Sequence, residues 1–318
     1  RCKMQAIAKL FPVFFVLLMG LYARKRNWIS HEQNDGIKSL ALGILFPFLI
    51  YNIVADASLD KQIGVEIVYL IGVWIFVYFL GRIFCRIMPK ELSELSPFLL
   101  LTCEGGAVAL PLYISVVGSA YAVNLIPFDL AGILVNFIFV PTVLQLKQSN
   151  KFQLLPLVKN VVSAPFVIAA VLGFVTNITG LQDMLLKSEI FGPLYENTIA
   201  TLTAPIASLI LFSLGYSINL KKSYLMPLVK LAGIRILFCT GIIASFFLLF
   251  PSKMANPIFS FGVLLYFYCP TGFPVPLQIK DILDNEEKEE FVSAFISMFL
   301  LIALAVYVAL NFYFRGMF

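Results

Sequence analysis

Charge is what this chain has least of: Asp, Glu, Lys and Arg make up 13% of its 318 residues against 60% hydrophobic ones, and there is a single histidine. A soluble globular domain carries about a quarter of its residues as charged, so that class is excluded, and the mean hydropathy of +0.92 reads as a polytopic membrane protein. Cysteine pairs with metal-ligand spacing are also lacking. Cys2, Cys85, Cys103, Cys239 and Cys269 are scattered and read as small apolar fillers. There is no nucleotide-binding glycine loop, no His-Glu-x-x-His and no Gly-x-Ser-x-Gly, so no enzyme, metal or cofactor is expected. The one histidine, His31, stands in a Trp-Ile-Ser-His-Glu-Gln connection without a catalytic partner and reads as a solvated loop residue. No cleavable signal is apparent, since the first apolar run leads straight into Arg24, Lys25 and Arg26. The opening Arg1-Cys2-Lys3 suggests numbering that starts inside a longer product.

What is present is apolar sequence in span-sized pieces. A bilayer crossing takes about 20 apolar residues, and ten segments approach that length: 6–23, 37–55, 63–84, 95–119, 122–145, 161–179, 196–218, 226–250, 257–279 and 291–314. The formal charge of +5 is divided into short basic clusters at alternate span ends, a topology signal rather than a nucleic-acid surface. Arg24 to Arg26, Lys38, Arg82, Arg86, Lys90, Lys147, Lys151, Lys159, Lys221, Lys222, Lys230, Lys280 and Lys288 fall on one side, which is then cytoplasmic and leaves both termini outside. Five spans on each side of a short connection start on opposite faces of the membrane, the topology of an inverted repeat. The expected division is a first five-helix repeat over 1–146, a cytoplasmic connection over 147–160 and a second repeat over 161–318, in one all-α membrane domain in the cell (plasma or inner) membrane.

Corresponding spans are interrupted. The fourth contains Glu-Gly-Gly-Ala-Val-Ala-Leu-Pro at 104–111 and the ninth Cys-Pro-Thr-Gly-Phe-Pro-Val-Pro at 269–276, while Pro47 and Pro205 loosely match in the second and seventh. A proline can merely kink a membrane helix, but glycine and proline together in paired spans point to broken helices that expose backbone N–H and C=O groups at a binding site. The expected site joins Glu104, Gly105, Gly106, Ala107 and Pro111 with Pro270, Thr271, Gly272 and Phe273, and Asn52 and Asn136 as amides that either line it or bond across helices. Glu104 is the sharpest of these: a carboxylate at that depth faces the interior and either carries a coupling proton, ligates a cation, or is a protonated acid satisfied by nearby backbone. Arg235 in the eighth span is read either as snorkelling to the interface or as a counter-charge for an anionic substrate. Glu66 reads as interfacial, and the acidic run 284–290 as a hydrated loop.

At the two breaks the chain resembles the auxin efflux carrier family, which includes plant auxin exporters and bacterial permeases for malate and malonate. The similarity rests on Pro111-Leu112 with Gly118 seven residues after the proline, on Pro270-Thr271-Gly272-Phe273 with Lys280-Asp281, and on Phe11-Pro12, Gly20-Leu21-Tyr22 and Phe46-Pro47. Glu104 stands where the family has asparagine and Ala109 where it has glycine, and the short 146–160 connection is closer to the bacterial permeases. The resemblance implies crossed fourth and ninth helices, a scaffold bundle and a transport bundle, homodimers, and a small organic acid carried through a lipid bilayer by alternating access. An acid at 104 beside a carboxylate substrate would repel it unless protonated, so either transport is proton-coupled or the substrate is not a simple anion. Two alternatives stay open: a sodium-coupled carrier of the bile-acid symporter type, and a membrane receptor that binds without transport.

Overall fold

The computed structural model describes residues 2–56, 61–149, 159, 162–163, 165–218, 225–315 and 317. Among the described residues there is helix and no strand, and six helices are long and apolar enough to cross a membrane: His31–Asp56, Ile63–Ile87, Ser119–Lys147, Phe191–Ser217, Leu225–Leu249 and Glu286–Tyr313. Cys2–Lys25 adds a further 24-residue helix, and Gly105–Val117, Val167–Thr179 and Pro257–Phe267 are shorter apolar helices. The protein is an all-α, multi-pass membrane protein. Most of the 147–160 connection, with Lys151, and also Lys221 and Lys222, lie outside the described residues.

The chain forms two compact units, one of Arg1–Ala8, Lys61–Val158 and Ile218–Phe318, the other of Lys9–Asp60 and Lys159–Ser217. Each therefore draws on both halves of the sequence. In the second unit the helix backbones approach through small residues, as membrane helices do where no hydrophobic force drives them together. A Cβ on Gly20 would lie 2.0 Å from the Phe212 carbonyl oxygen, and one on Gly215 would lie 1.9 Å from that of Leu17. Polar side chains add cross-helix bonds: Asn177 Nδ2 donates to the Ala55 carbonyl at 2.8 Å, and Ser213 Oγ donates to Asn34 Oδ1 at 2.8 Å. His31 lies in no loop. Ser30 and Gln33 form a capping box that starts a helix at His31.

The first unit is built around buried rings. Phe128 stacks on Phe246 at 5.4 Å and meets Tyr266 at 5.1 Å, and Phe246 lies 5.7 Å from Phe267. These rings supply contact area beside the helix interruptions, where regular ridge-and-groove packing is lost. Asn256 caps Pro257–Phe267 by accepting from the N–H groups of Ile258 and Phe259, and proline at the first helical position suits that start. The acidic run read as a loop is partly helix. Asn285 Oδ1 accepts from the Lys288 N–H at 2.9 Å, and Glu286, Glu287 and Glu289 fill the first turn of the last helix, where negative charge meets the positive dipole end.

Glu66, expected at a hydrated interface, is fully buried. Its Oε1 accepts from Lys253 Nζ at 2.5 Å. A carboxylate out of water needs such a partner, and this one comes from 187 residues away in sequence.

Candidate substrate site at the two helix breaks

Both interruptions belong to the first unit, and they touch. The first helical turn at Ser96–Leu99 stops short of an extended stretch, and helix resumes with a wide, π-helical turn at Gly105–Ala109 before Leu110–Val117. The second runs Pro257–Phe267, then an unwound stretch, then Pro274–Gln278. Gly105, Gly106 and Pro270, with weak or absent helix propensity, set the gaps. Across them the Glu104 N–H donates to the Pro270 carbonyl at 2.8 Å, and Thr271 Oγ1 donates to the Leu99 carbonyl at 2.5 Å.

The Glu104 carboxylate is shared between two helix starts. Its Oε1 accepts from the Ala107 N–H at 3.0 Å within its own segment, and its Oε2 accepts from the Phe273 N–H at 2.6 Å in the other. Helix N-termini are anion sites because their first N–H groups have no intrahelical partner and carry the positive end of the dipole. Here the anion is the chain's own side chain.

A second carboxylate, Asp129, lies against the same turn. Its carboxylate lies near the Gly106 backbone and within electrostatic range of Glu104. Its closeness is what requires glycine at 105: a Cβ there would lie 1.8 Å from Asp129 Oδ1. Glu104, held on the Ala107 N–H, and Asp129, packed against Gly105, therefore place two carboxylates at one broken turn.

On the carbonyl side, Thr102 takes φ +44°, a region a β-branched residue enters at a cost of about 1–3 kcal/mol. Its Oγ1 donates to Asn136 Oδ1 at 3.1 Å. Gly272 packs on that pair, for a Cβ there would meet Thr102 Oγ1 at 2.8 Å and Asn136 Nδ2 at 2.9 Å. Asn136 itself sits in a second wide turn, Val135–Phe139. Tyr266 donates its hydroxyl to the carbonyls of Phe128 at 3.0 Å and Cys103 at 3.3 Å.

Arg235 is fully buried, which removes snorkelling. No carboxylate faces it at ion-pair distance among the described residues. Its guanidinium donates to the carbonyls of Leu99 (2.8 Å), Leu101 (3.5 Å), Thr102 (2.7 Å) and Cys269 (3.3 Å), and to the Cys103 sulfur at 3.3 Å. Cys103 is thus an acceptor as well as a filler.

Of the residues expected from sequence, Glu104, Gly105, Gly106, Ala107, Asn136, Pro270, Thr271, Gly272 and Phe273 come together at this crossing. Pro111 is buried one turn further along in Leu110–Val117. Asn52 belongs to the second unit, where its Oδ1 accepts from the Tyr195 hydroxyl at 2.8 Å. That unit also holds a cavity of about 570 Å³ with Tyr51, Leu172, Leu194, Tyr195 and Thr198 in its wall, no charged residue and none of the expected site residues. Asp129, Thr102 and Tyr266 extend the site beyond the residues expected from sequence. The signal for Asp129 is the one that marks Glu104, an acid inside an apolar run.

The chain matches no family model and no curated protein.

Proposed function

We propose that the protein is a secondary transporter that carries a small organic acid across the cell membrane by alternating access around the two crossed helix breaks, with Glu104 as its proton-coupling group. In this reading the chain has ten spans in two inverted five-helix repeats, with both termini on the non-cytoplasmic side, as in the auxin efflux carrier type of organic-acid permease. The repeat is supported by two compact units that each draw on both sequence halves and by interruptions at corresponding places that meet one another.

The observation that carries the reading is the two-headed hold of Glu104 on the Ala107 and Phe273 N–H groups. A substrate carboxylate and an ionised Glu104 compete for the same donors and repel each other at close range. A proton on Glu104 removes the repulsion and releases N–H groups to the substrate, so proton and acid bind together and leave together. Asp129, packed against Gly105 beside Glu104, offers the proton a second place within the site. Binding is coupled to charge through backbone donors that only an interrupted helix exposes.

The test is uptake of labelled malate, malonate and an aromatic acid into proteoliposomes as a function of external pH. Uptake by the natural protein rises as the external pH falls, because the loaded site needs a proton. Glu104→Gln, a permanent mimic of the neutral acid, makes uptake independent of pH. Unchanged pH dependence in that variant would discard Glu104 as the coupling group. A second reading, a carrier of organic cations, is favoured by the side-by-side carboxylates Glu104 and Asp129; uptake of a labelled small amine and of none of the acids would select it.

A further inference from the structure

Breaking two membrane helices at one level exposes carbonyl groups as well as N–H groups. The last carbonyls before each gap have no intrahelical partner. Left unsatisfied out of water, each is costly. In carriers built this way the carbonyl side is where a coupling cation is held, and the N–H side is where an anion is held.

Here the carbonyl side is full. Arg235 draws its acceptors from both interrupted segments, Leu99, Leu101 and Thr102 from one and Cys269 from the other, and the ring of Phe299 lies 5.1 Å from the guanidinium carbon. The Leu99 oxygen also accepts from Thr271 Oγ1, so both of its lone pairs are in use. A guanidinium stays charged under any working condition. It cannot leave the site, and a second cation on the same oxygens would be repelled at close range. The N–H side is filled in the same intrinsic way by Glu104. The two fillings differ in kind, because a carboxylate can be neutralised by a proton and an arginine cannot.

We propose that Arg235 is a resident substitute for a coupling cation: it occupies the carbonyl pole of the crossing permanently, and the protein needs no alkali cation to bind or to transport. The uptake arm of its test rests on the transporter reading, whereas the stability arm does not.

The experiment compares the apparent melting temperature and uptake of the purified, reconstituted protein in sodium, potassium or choline chloride at equal ionic strength. It then compares Arg235→Ala and Arg235→Met with and without ethylguanidinium at sub-denaturing concentration. The natural protein is expected to melt and transport alike in the three salts. Arg235→Ala leaves a space lined by carbonyls, so ethylguanidinium or sodium should raise its melting temperature by about 2–4 °C, as a ligand that binds only the folded state does. Arg235→Met, which fills the space with an apolar chain, should gain nothing. A merely structural arginine would not make the variant's stability respond to which cation is present. A melting temperature or uptake rate of the natural protein that depends on sodium overturns the proposal, and so does an Arg235→Ala protein that none of the cations stabilises. If Arg235→Ala does not fold, Arg235→Lys keeps the charge and must stay indifferent to sodium; sodium dependence in it is equally fatal. Salt-indifferent melting and rescue without uptake of any acid would leave the Arg235 assignment standing and remove the transporter reading alone.

Discussion

The Phe273 N–H and the Glu104 carboxylate meet at 2.6 Å, so a side chain from one interrupted segment caps the resumed helix of the other. The same carboxylate holds the Ala107 N–H of its own segment, which makes Glu104 a clamp between the two breaks as well as a charge within them.

Replacing the clamp should loosen the crossing. Glu104→Gln retains one acceptor oxygen and turns an NH2 group toward the other donor, losing a charge-assisted bond of about 1.5–3 kcal/mol. Glu104→Ala leaves both buried N–H groups without an acceptor and should cost more. Thermal melts of the purified variants in one detergent should rank natural protein, then Gln, then Ala. A melting temperature unaltered by Glu104→Ala would show that the clamp contributes nothing.

Gly105 and Asp129 should behave as one unit. The alanine methyl at 105 would lie 1.8 Å from Asp129 Oδ1, so Gly105→Ala must displace the carboxylate and is expected to lose most folded protein. Asp129→Ala removes the obstacle, and the double variant should recover folded yield over Gly105→Ala alone. Residues in direct contact couple by about 0.5–3 kcal/mol in such cycles. Monodispersity on size-exclusion chromatography reads the outcome, and a double variant no better than the glycine variant would contradict the contact.

Residues that stand out against an apolar background are legible in the amino-acid sequence itself: Glu104, the glycines at 105 and 106, and the proline and glycine cluster at 270–272 all mark the crossing. Asp129 is the same kind of mark, but it follows Pro127 near the start of an expected span and passes for the edge of a connection. The role of Arg235 is not legible, because its partners are backbone carbonyls, and every residue has one. Glu66 looks interfacial until Lys253 is brought to it. The start of the last helix at Glu286 is hidden because acids that complement a helix dipole also compose hydrated loops.

Thr102 gives a test of strain against hydrogen bonding. Its φ of +44° suits glycine, while its hydroxyl holds Asn136 at 3.1 Å. Thr102→Ala and Thr102→Gly both lose that bond, but only glycine relaxes the left-handed backbone, an advantage of about 1 kcal/mol. Chemical denaturation should therefore find the glycine variant more stable than the alanine variant, the reverse of the order inside a regular helix. An alanine variant at least as stable would mean that the backbone at 102 relaxes into an ordinary conformation.

The ion pair between Glu66 and Lys253 offers the sharpest contrast between single and double replacement. Glu66 is fully buried whereas Lys253 keeps 23% of its side chain exposed, so the two partners stand to lose unequally. Lys253→Met takes the cationic partner away from a buried carboxylate at a cost of about 3–5 kcal/mol, but replacing both partners by apolar residues of similar size is often neutral or stabilising. Glu66→Leu removes the buried charge and leaves a lysine that can reach water along its own stem, so it should be the milder single change. The expected order of melting temperatures puts Lys253→Met lowest, Glu66→Leu above it, and the double variant near the natural protein. A double variant as unstable as Lys253→Met would show that the pair is needed for the packing of its helices and that burial of the carboxylate is not what sets the cost.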